Sequence, residues 1–261
     1  MPRMSAPRPP VVLCLSGHDP TGGAGVQADI ETVAALGAHA VTVVTAHTVQ
    51  DTRNVRRVEA PSPAVFRAQV ELLLADCEIH AIKVGLLAAA WQAAAIAAVI
   101  RRARVPAVLD PVLRAGGGKT LAGRELLAAL RATLIPLATV ITPNAAEARR
   151  LAGVRGLDAC GRALLKAGAT NVLITGGNEP TRQVTNAWHA RGQAPRRWTW
   201  PRVRGAFHGA GCTLAAAIAA RLAQGHPVAA ALTEGQAYTQ ATLARARPVG
   251  RGRRIPLRVN A

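Results

Sequence analysis

The chain has 261 residues, of which 50% are hydrophobic and 18% are charged, so it holds enough apolar side chains to form a sizeable core. This composition excludes a disordered chain, and no apolar run is long enough to span a bilayer. The net charge of +18 is spread along the chain with few aromatic residues, which argues against a nucleic-acid partner and suits anionic substrates. Four cysteines without metal-ligand spacing indicate a reduced, cytoplasmic protein that has no disulfide framework.

The first predicted elements are a disordered leader over residues 1–10, an apolar strand over Val11–Leu15 and a helix over Val26–Leu36. Four glycines lie in the loop between them, at 17–25. A glycine-rich turn between a strand and a helix is typical of a site for a nucleotide or a small polar ligand, but this order of residues matches neither a dinucleotide fingerprint nor a P-loop. Asp29 lies about one turn into the helix and, taken alone, is expected to be a surface acid.

Strands and helices then alternate through most of the chain. This pattern predicts an α/β fold with one domain over 11–245, in which a mainly parallel sheet carries helices on both faces. A tail over 246–261 follows, with six arginines between Arg245 and Arg258. The other predicted strands are 41–46, 81–84, 107–109, 139–141 and 171–174, with an antiparallel pair at 183–189 and 197–200. The other predicted helices are 63–75, 88–102, 123–133, 145–151, 157–167, 213–222 and 228–244.

Polar residues follow several of the predicted strands. Because ligands bind at the carboxyl ends of strands in such a sheet, Gln50, Asp110 and Asn144 are candidate site residues, as is the pair Gly176–Gly177. Carboxylates at strand ends suit a hydrated Mg²⁺ ion and phosphate groups. For Asn144 and Glu147 the alternative is a helix cap, with asparagine at the cap and glutamate three residues later.

A second glycine-rich turn, Gly209-Ala210-Gly211-Cys212, begins a predicted helix. Small residues let the backbone approach a ligand, and the free N–H groups of a helix N-terminus bind anions. The alternative is a helix that packs tightly against the sheet. At Cys212 the helix dipole is expected to lower the pKa of the thiol, although a small buried residue is the commoner role of a cysteine. The seven histidines form no metal-binding pattern.

Several longer segments carry a resemblance to a known family. They read SGHDPTGGAGVQADIETVAALGAHAVTVVTA, KVGLL, LDPV, LATVITPNAAEA and HGAGCTLAAAIAA. Over about Val11–Leu222 the chain resembles the hydroxymethylpyrimidine/phosphomethylpyrimidine kinases of thiamine biosynthesis, in the ribokinase superfamily. The resemblance implies a ribokinase-like three-layer sandwich that uses ATP and Mg²⁺. It implies phosphorylation of 4-amino-5-hydroxymethyl-2-methylpyrimidine and then of its monophosphate, in a cytoplasmic enzyme that by analogy is a homodimer.

The resemblance also implies roles for individual residues. Those of the pyrimidine pocket are Gly17, Asp29, Gln50 and Val112. Those of the anion hole are Gly209, Ala210 and Gly211, with Cys212 as the base. Those near Mg²⁺ and the nucleotide are Asp110, Asn144, Glu147, Thr175 and Gly177, of which Asp110 and Glu147 are the candidate metal ligands.

The chain departs from the family pattern at the nucleotide side. Thr175 stands where the family has a lysine that meets ATP phosphates, and we expect Arg114 or Lys119 to supply the missing charge. The arginine-rich tail replaces a glycine- and histidine-rich segment. Three alternatives therefore stay open: a pyridoxal or pyridoxine kinase of the same superfamily, a pyrimidine-binding protein with reduced or lost kinase activity, and a nucleic-acid role of the tail.

Overall fold

A computed structural model describes residues 8–259 of the chain. Residues 1–7, which make up most of the expected leader, and residues 260–261 of the expected tail lie outside the description. Within the described residues, nine strands form one sheet in the order β3-β2-β1-β4-β5-β6-β7-β8-β9. The strands are β1 (Val11–His18), β2 (His39–Gln50), β3 (Val55–Glu59), β4 (Ala81–Val84), β5 (Ala107–Leu109), β6 (Val140–Ile141), β7 (Asn171–Ile174), β8 (Gln183–Ala190) and β9 (Arg196–Pro201).

The six strands from β2 through β1 and β4 to β7 run parallel, whereas β3 at one edge and β8 and β9 at the other are antiparallel. The mainly parallel sheet and the antiparallel pair are therefore confirmed. The bounds predicted for β4, β5 and β7 agree with the structure because all three are short, fully buried and mainly apolar.

Helices cover both faces of the sheet. Along β1 the side chains alternate: Leu13 and Leu15 join the core under one helical layer, while Val12 and Cys14 join the core under the other. Helices α2 to α6 form the first layer, and α1, α7 and α8 form the second. The helices are α1 (Gly25–Ala35), α2 (Pro63–Asp76), α3 (Trp91–Ala103), α4 (Arg124–Ala129), α5 (Ala145–Ala152), α6 (Leu157–Lys166), α7 (Ala210–Ala223) and α8 (Val228–Ala244).

Apart from shifts at the ends of other strands and helices, two elements differ from the sequence prediction. The sequence does not predict β3, because exposed charged residues such as Arg56 and Arg57 interrupt its apolar pattern and only its pairing with β2 makes it a strand. The predicted helix at 123–133 is α-helical only to Ala129, and continues as a π-turn and a 3₁₀ turn to Leu137. Pro136 has no N–H to donate and cannot continue an α-helix.

The arginine-rich segment 246–259 packs against the domain. Arg247 pairs with Ile255 in an antiparallel bridge, Phe207 pairs with Arg254 in a parallel bridge, and the Ile255 side chain is buried. The segment therefore closes one side of the domain beside the carboxyl ends of the central strands.

No helix in the described part of the chain has the length and the apolar character needed to cross a membrane.

Candidate active site

Two adjoining cavities open at the carboxyl ends of the parallel strands. The inner cavity has a volume of about 290 Å³ and reaches Gly17 and Gln50. The outer cavity has a volume of about 570 Å³ and extends past Arg114 to Trp200 and Gln236. Both are lined by the loops after β5, β6 and β7 and by the first turn of α7, so a ligand in one cavity would lie directly beside a ligand in the other.

The inner cavity brings together all the residues for which the family resemblance implies a role, except Asp29. The candidate Gly176 does not line it. The residues are contributed by the ends of five parallel strands and by the turn before α7, which meet because the carboxyl ends of parallel strands share one edge of the sheet. The predicted residues that line it are Gly17, Gln50, Asp110, Val112, Asn144, Glu147, Thr175, Gly177, Gly209, Ala210, Gly211 and Cys212.

Asp29 lies behind the cavity wall, which corrects both expectations for it. It is neither a surface acid nor a lining residue, because its side chain is fully buried and pairs with Lys83. The ammonium nitrogen of Lys83 lies 2.8 Å from Asp29 Oδ1 and also donates to Ser16 Oγ at 2.8 Å. Sequence reasoning missed Lys83, although a lysine inside the apolar run of β4 is a signal, since a buried charge requires a partner.

Lys83 is the buried positive charge of this region. Burial by itself would lower its pKa, but the opposite charge of Asp29, and more weakly Cys212 and Asp110, raise it above its ordinary value. Lys83 therefore remains an ammonium ion at physiological pH. Its field favours the anionic forms of Asp110 and Cys212 at the floor of the inner cavity.

Asp110 directly follows β5 and points into the inner cavity. Burial raises its pKa to about 6, and Lys83 opposes that shift while Asp29 adds to it. A Cβ atom placed on Gly211 would lie 3.3 Å from Asp110 Oδ2, so the carboxylate faces the first turn of α7. Because no side-chain cap occupies that turn, a group bound there would contact both the carboxylate and the free N–H groups.

Asn144 and Glu147 form the helix cap that was the alternative for them. Asn144 Oδ1 accepts from Glu147 N at 3.0 Å, and Glu147 Oε2 accepts from Asn144 N at 3.0 Å. The other oxygen of Glu147 accepts from Leu113 N at 3.1 Å. Burial raises the pKa of Glu147 to about 8, with a further contribution from Asp110. The two roles are compatible, because the capping residues also line both cavities.

The turn before α7, which was predicted to bind an anion, has a backbone conformation that requires glycine. Helix α7 begins at Ala210, three residues earlier than predicted, and Gly209 caps it with φ at +85°. A Cβ atom at Gly209 would overlap the carbonyl oxygen of Gly23 in the first glycine-rich loop. Glycine is therefore required at 209 both for its left-handed backbone and for this close approach.

The expected low pKa of Cys212 is wrong. Burial raises the pKa of the thiol to about 11; the Lys83 ammonium lowers it, and the charges of Asp110 and Asp29 raise it further. The helix N-terminus does not lower the pKa below its ordinary value, because loss of water destabilises the thiolate more than the first helical turn and Lys83 stabilise it. At neutral pH the resting side chain is a thiol.

Asp19 and His208 were also missed by sequence reasoning. Asp19 is buried and accepts hydrogen bonds from the backbone N–H groups of Thr21 and Ala24, both at 2.9 Å, and lies 2.8 Å from His208 Nε2. Burial alone would raise the pKa of Asp19, but the His208 and Thr21 hydrogen bonds lower it below its ordinary value. An aspartate that opens a Pro-Thr-Gly turn was the available signal. The contact between Asp19 and His208 connects the first glycine-rich loop to the turn before α7.

Arginines line the outer cavity. Arg114 borders both cavities and is held by the Gly118 carbonyl at 2.9 Å, whereas Lys119 donates to the Arg56 carbonyl and lines neither cavity. Of the two residues expected to supply the charge of the missing lysine, only Arg114 lines the cavities. Arg202 and Arg253 also line the outer cavity. Neither was predicted, because their approach depends on β9 and on the packing of the arginine-rich segment.

The chain is similar to known proteins over most of its length. The family model for phosphomethylpyrimidine kinase matches residues 19–257. A hydroxymethylpyrimidine/phosphomethylpyrimidine kinase from Rhizobium meliloti is 38% identical over 252 residues, which cover 93% of this chain and 94% of the relative. The ADP complex of Bacillus subtilis pyridoxal kinase has a TM-score of 0.89 at 28% identity and covers 96% of this chain and 97% of its own. A phosphomethylpyrimidine kinase from Clostridium difficile has a TM-score of 0.76 at 29% identity and covers 88% and 97%.

These matches extend over nearly the whole chain rather than over one motif. The structural matches to kinases confirm the ribokinase-like three-layer sandwich that the sequence predicted. The family-model match over residues 19–257 includes the turn before α7 and the strand ends from Gln50 to Gly177. The chain belongs to the phosphomethylpyrimidine kinase family, and it is a phosphotransferase of thiamine biosynthesis.

Proposed function

We propose that the chain transfers the γ-phosphoryl group of ATP to the hydroxymethyl group of 4-amino-5-hydroxymethyl-2-methylpyrimidine, and then a second phosphoryl group to the monophosphate. One observation carries the proposal: the Gly209–Gly211 turn, the Asp110 carboxylate and the Gln50 amide line one cavity. Phosphoryl transfer depends mainly on alignment and charge stabilisation, which backbone N–H groups at a helix N-terminus supply.

The pyrimidine occupies the inner cavity in this proposal. The Gln50 amide offers an acceptor and donors, which suit an exocyclic amine beside a ring nitrogen. Gly17 and Val112 line the same cavity and present little polar surface of their own. In this proposal the hydroxymethyl group points toward Cys212 and the anion-binding turn.

ATP occupies the outer cavity, with its terminal phosphate at the Gly209–Gly211 turn, where the two cavities meet. The ADP bound to the Bacillus subtilis relative supports a nucleotide in this fold. Arg114, Arg202 and Arg253 border the outer cavity and offer positive charge in place of the family lysine at Thr175. The hydroxyl oxygen bonds to the γ-phosphorus and releases its proton, for which Cys212 is the proposed acceptor. The bond between the γ-phosphorus and the β–γ bridging oxygen breaks, and ADP leaves.

The donor set of the site fits a Mg²⁺ ion that is held mostly by phosphate and water. Among residues 8–259 no group of three His, Cys, Asp or Glu side chains is arranged to hold a metal alone. Mg²⁺ in kinases commonly binds one or two carboxylates and completes its shell with phosphate oxygens and water. Asp110 would hold it, with Glu147 as its neighbour, and the ion would supply charge neutralisation at the phosphates. The cytoplasmic homodimer implied by the family is part of the proposal.

The test is a coupled ADP-release assay with three acceptors: the pyrimidine alcohol, its monophosphate and pyridoxal. We expect ADP release with the first two. The strong structural likeness to Bacillus subtilis pyridoxal kinase makes pyridoxal phosphorylation the second candidate function. Turnover with pyridoxal alone would favour that candidate, and pyrimidine binding without ADP release from any acceptor would identify a binding protein that has lost catalysis.

Replacing Gln50 with leucine is expected to weaken pyrimidine binding while ATP binding is unchanged. Leucine leaves the aminopyrimidine edge unpaired in a buried site, which costs ~1–3 kcal/mol and corresponds to about a 5- to 150-fold loss of affinity. Isothermal titration with each ligand measures this. Gln193→Leu, at an exposed turn, is the matched control. Wild-type pyrimidine affinity in Gln50→Leu would remove Gln50 from the pocket.

Replacing Asp110 with asparagine is expected to raise the Mg²⁺ concentration needed for half-maximal turnover by at least about 10-fold, since the loss of an outer-shell partner alone typically costs about 10- to 100-fold in metal affinity. The change removes the charge beside the phosphates and keeps the size of the side chain. Turnover is measured across a Mg²⁺ titration at saturating ATP. Asp76→Asn, at an exposed helix end, is the control. An unchanged Mg²⁺ dependence would give Asp110 a purely structural role.

A further inference from the structure

The arginine-rich segment 246–259 reaches beneath the active-site turn. Leu257 N donates to the Thr242 carbonyl at 3.2 Å, and Tyr238 Oη donates to the Arg258 carbonyl at 2.7 Å, so α8 anchors its backbone. These contacts direct the Arg258 side chain into the interior, where the residue is 2% exposed. A fully buried arginine is costly unless its donors are satisfied, so its partners identify its task.

Arg258 joins three separate elements. Its Nε donates to Thr213 Oγ1 in α7 at 2.8 Å, and its Nη2 donates to the Gly23 carbonyl in the first glycine-rich loop at 2.5 Å. Its Nη1 donates to Glu31 Oε2 in α1 at 3.0 Å. The planar guanidinium fixes the angles between its donors, so it sets the relative placement of these groups.

Two of these partners in turn hold Gly209. The Thr213 hydroxyl, which accepts from Arg258, donates to the Gly209 carbonyl at 2.8 Å. The Gly23 carbonyl, which also accepts from Arg258, lies so close to Gly209 that a Cβ atom there would overlap it. Arg258 therefore supports the anion-binding turn from both sides, although it does not line either cavity.

We infer that Arg258 is a positioning residue, which holds the first glycine-rich loop and the Gly209–Gly211 turn at the separation that phosphoryl transfer requires. The inference rests on the proposed function for the reaction it serves. The contacts it uses are independent of which acceptor the enzyme phosphorylates. It gives one arginine of the arginine-rich segment an internal role.

The first test is the kinetics of Arg258→Met, which keeps an unbranched apolar stem and removes the guanidinium with its three donor nitrogens. We expect kcat to fall by about 10²-fold, the cost of misplacing reacting groups by about 1 Å, with the pyrimidine KM changed less than about threefold. Arg251→Met, in the same segment but exposed, should retain wild-type kcat. A purely structural role would instead lower the amount of folded enzyme without changing kcat per folded molecule.

The second test is amide hydrogen exchange of residues 22–25 and 209–212, which does not depend on turnover. We expect faster exchange at both segments in Arg258→Met, and wild-type exchange in Arg251→Met. If the wild-type protein phosphorylates no acceptor, the proposed function fails, and the exchange comparison still decides the role of Arg258. Wild-type exchange at both segments would overturn the positioning role.

Arg258→Lys keeps the inference testable if the methionine variant does not fold. Lysine retains a positive charge beside Glu31 but cannot donate to Glu31, Gly23 and Thr213 with the fixed fork of arginine. We expect a lower kcat, a pyrimidine KM near wild type and faster exchange at both glycine segments. A lysine variant with wild-type kcat and exchange would show that the charge alone is sufficient and would overturn the inference.

Discussion

Replacing Gly209 with alanine is expected to lower kcat by about 10²–10³-fold, the cost of losing one well-placed backbone donor from an anion hole. A Cβ atom at this position would overlap the Gly23 carbonyl, and the residue has φ at +85°. The turn must therefore move away from the first glycine-rich loop. Its N–H groups then no longer point at the phosphoryl group that is transferred. Steady-state kinetics with the pyrimidine alcohol, beside a thermal melt, measures the effect.

Gly225→Ala is the matched control for backbone strain. Gly225 lies just beyond the other end of α7 and has φ at +81°, and a Cβ atom placed on it would meet no atom of the described chain within 4 Å, its chain neighbours aside. The left-handed backbone penalty of about 1–2 kcal/mol applies to both variants, whereas the overlap applies to Gly209 alone. Both should lose stability, and Gly225→Ala should retain wild-type kcat. Equal kcat values in Gly209→Ala and Gly225→Ala would show that the Gly209–Gly211 turn does not contribute to catalysis.

Replacing Cys212 with alanine is expected to lower turnover by about 10²–10⁴-fold, the range for a general base. The family resemblance places Cys212 as the acceptor of the hydroxyl proton, and the residue lines the inner cavity in the first turn of α7. Because loose transition states of phosphoryl transfer need little early proton removal, the alanine variant directly separates a base from a space-filling residue.

The raised pKa of Cys212 determines whether kcat is expected to increase or decrease with pH. The thiol pKa is about 11, so the thiolate is a minor form at neutral pH and its population increases as pH rises toward that value. If the thiolate is the base, wild-type kcat should increase with pH above neutrality. Cys212→Ala should lose that increase. Alkylation of Cys212 should be slower at neutral pH than that of a simple peptide thiol, because the thiolate is the reactive form.

Cys77→Ala is the control for both measurements, since Cys77 lies at the end of α2 and lines neither cavity. Cys212→Ser adds a second comparison, because it keeps the size of the side chain and removes the thiolate. An alanine variant that stays folded and within a few-fold of wild-type turnover would contradict the base assignment. The kinase assignment would then depend on the backbone donors and the charged groups around them.

The fold was predictable because its signals are local. Fully buried strands such as β4, β5 and β7 consist mainly of apolar residues, and α5 carries its own capping box at Asn144 and Glu147. The alternation of strands and helices then leaves few topologies other than a parallel sheet covered on both faces. The edge strand β3 escaped prediction, because its pairing with β2 and not its composition makes it a strand.

The candidate site was predictable where the residues follow strands. The rule that ligands bind at the carboxyl ends of parallel strands places Gln50, Asp110 and Asn144 together, whatever the packing around them. The position of Asp29 behind the cavity was not predictable, since it depends on the ion pair between Asp29 in α1 and Lys83 in β4. The same holds for Arg202 and Arg253, which reach the outer cavity from β9 and from the last described segment.

The sequence by itself therefore determined the layers, the direction of the strands and the edge of the sheet at which the chemistry takes place. Tertiary structure decided the protonation of Cys212 and the role of Arg258. A pKa depends on the loss of water and on charges brought close in space, and these override the local effect of a helix N-terminus. Arg258 lies 235 residues from Gly23 in the chain, so only folding brings its guanidinium to the carbonyl that holds the active-site turn.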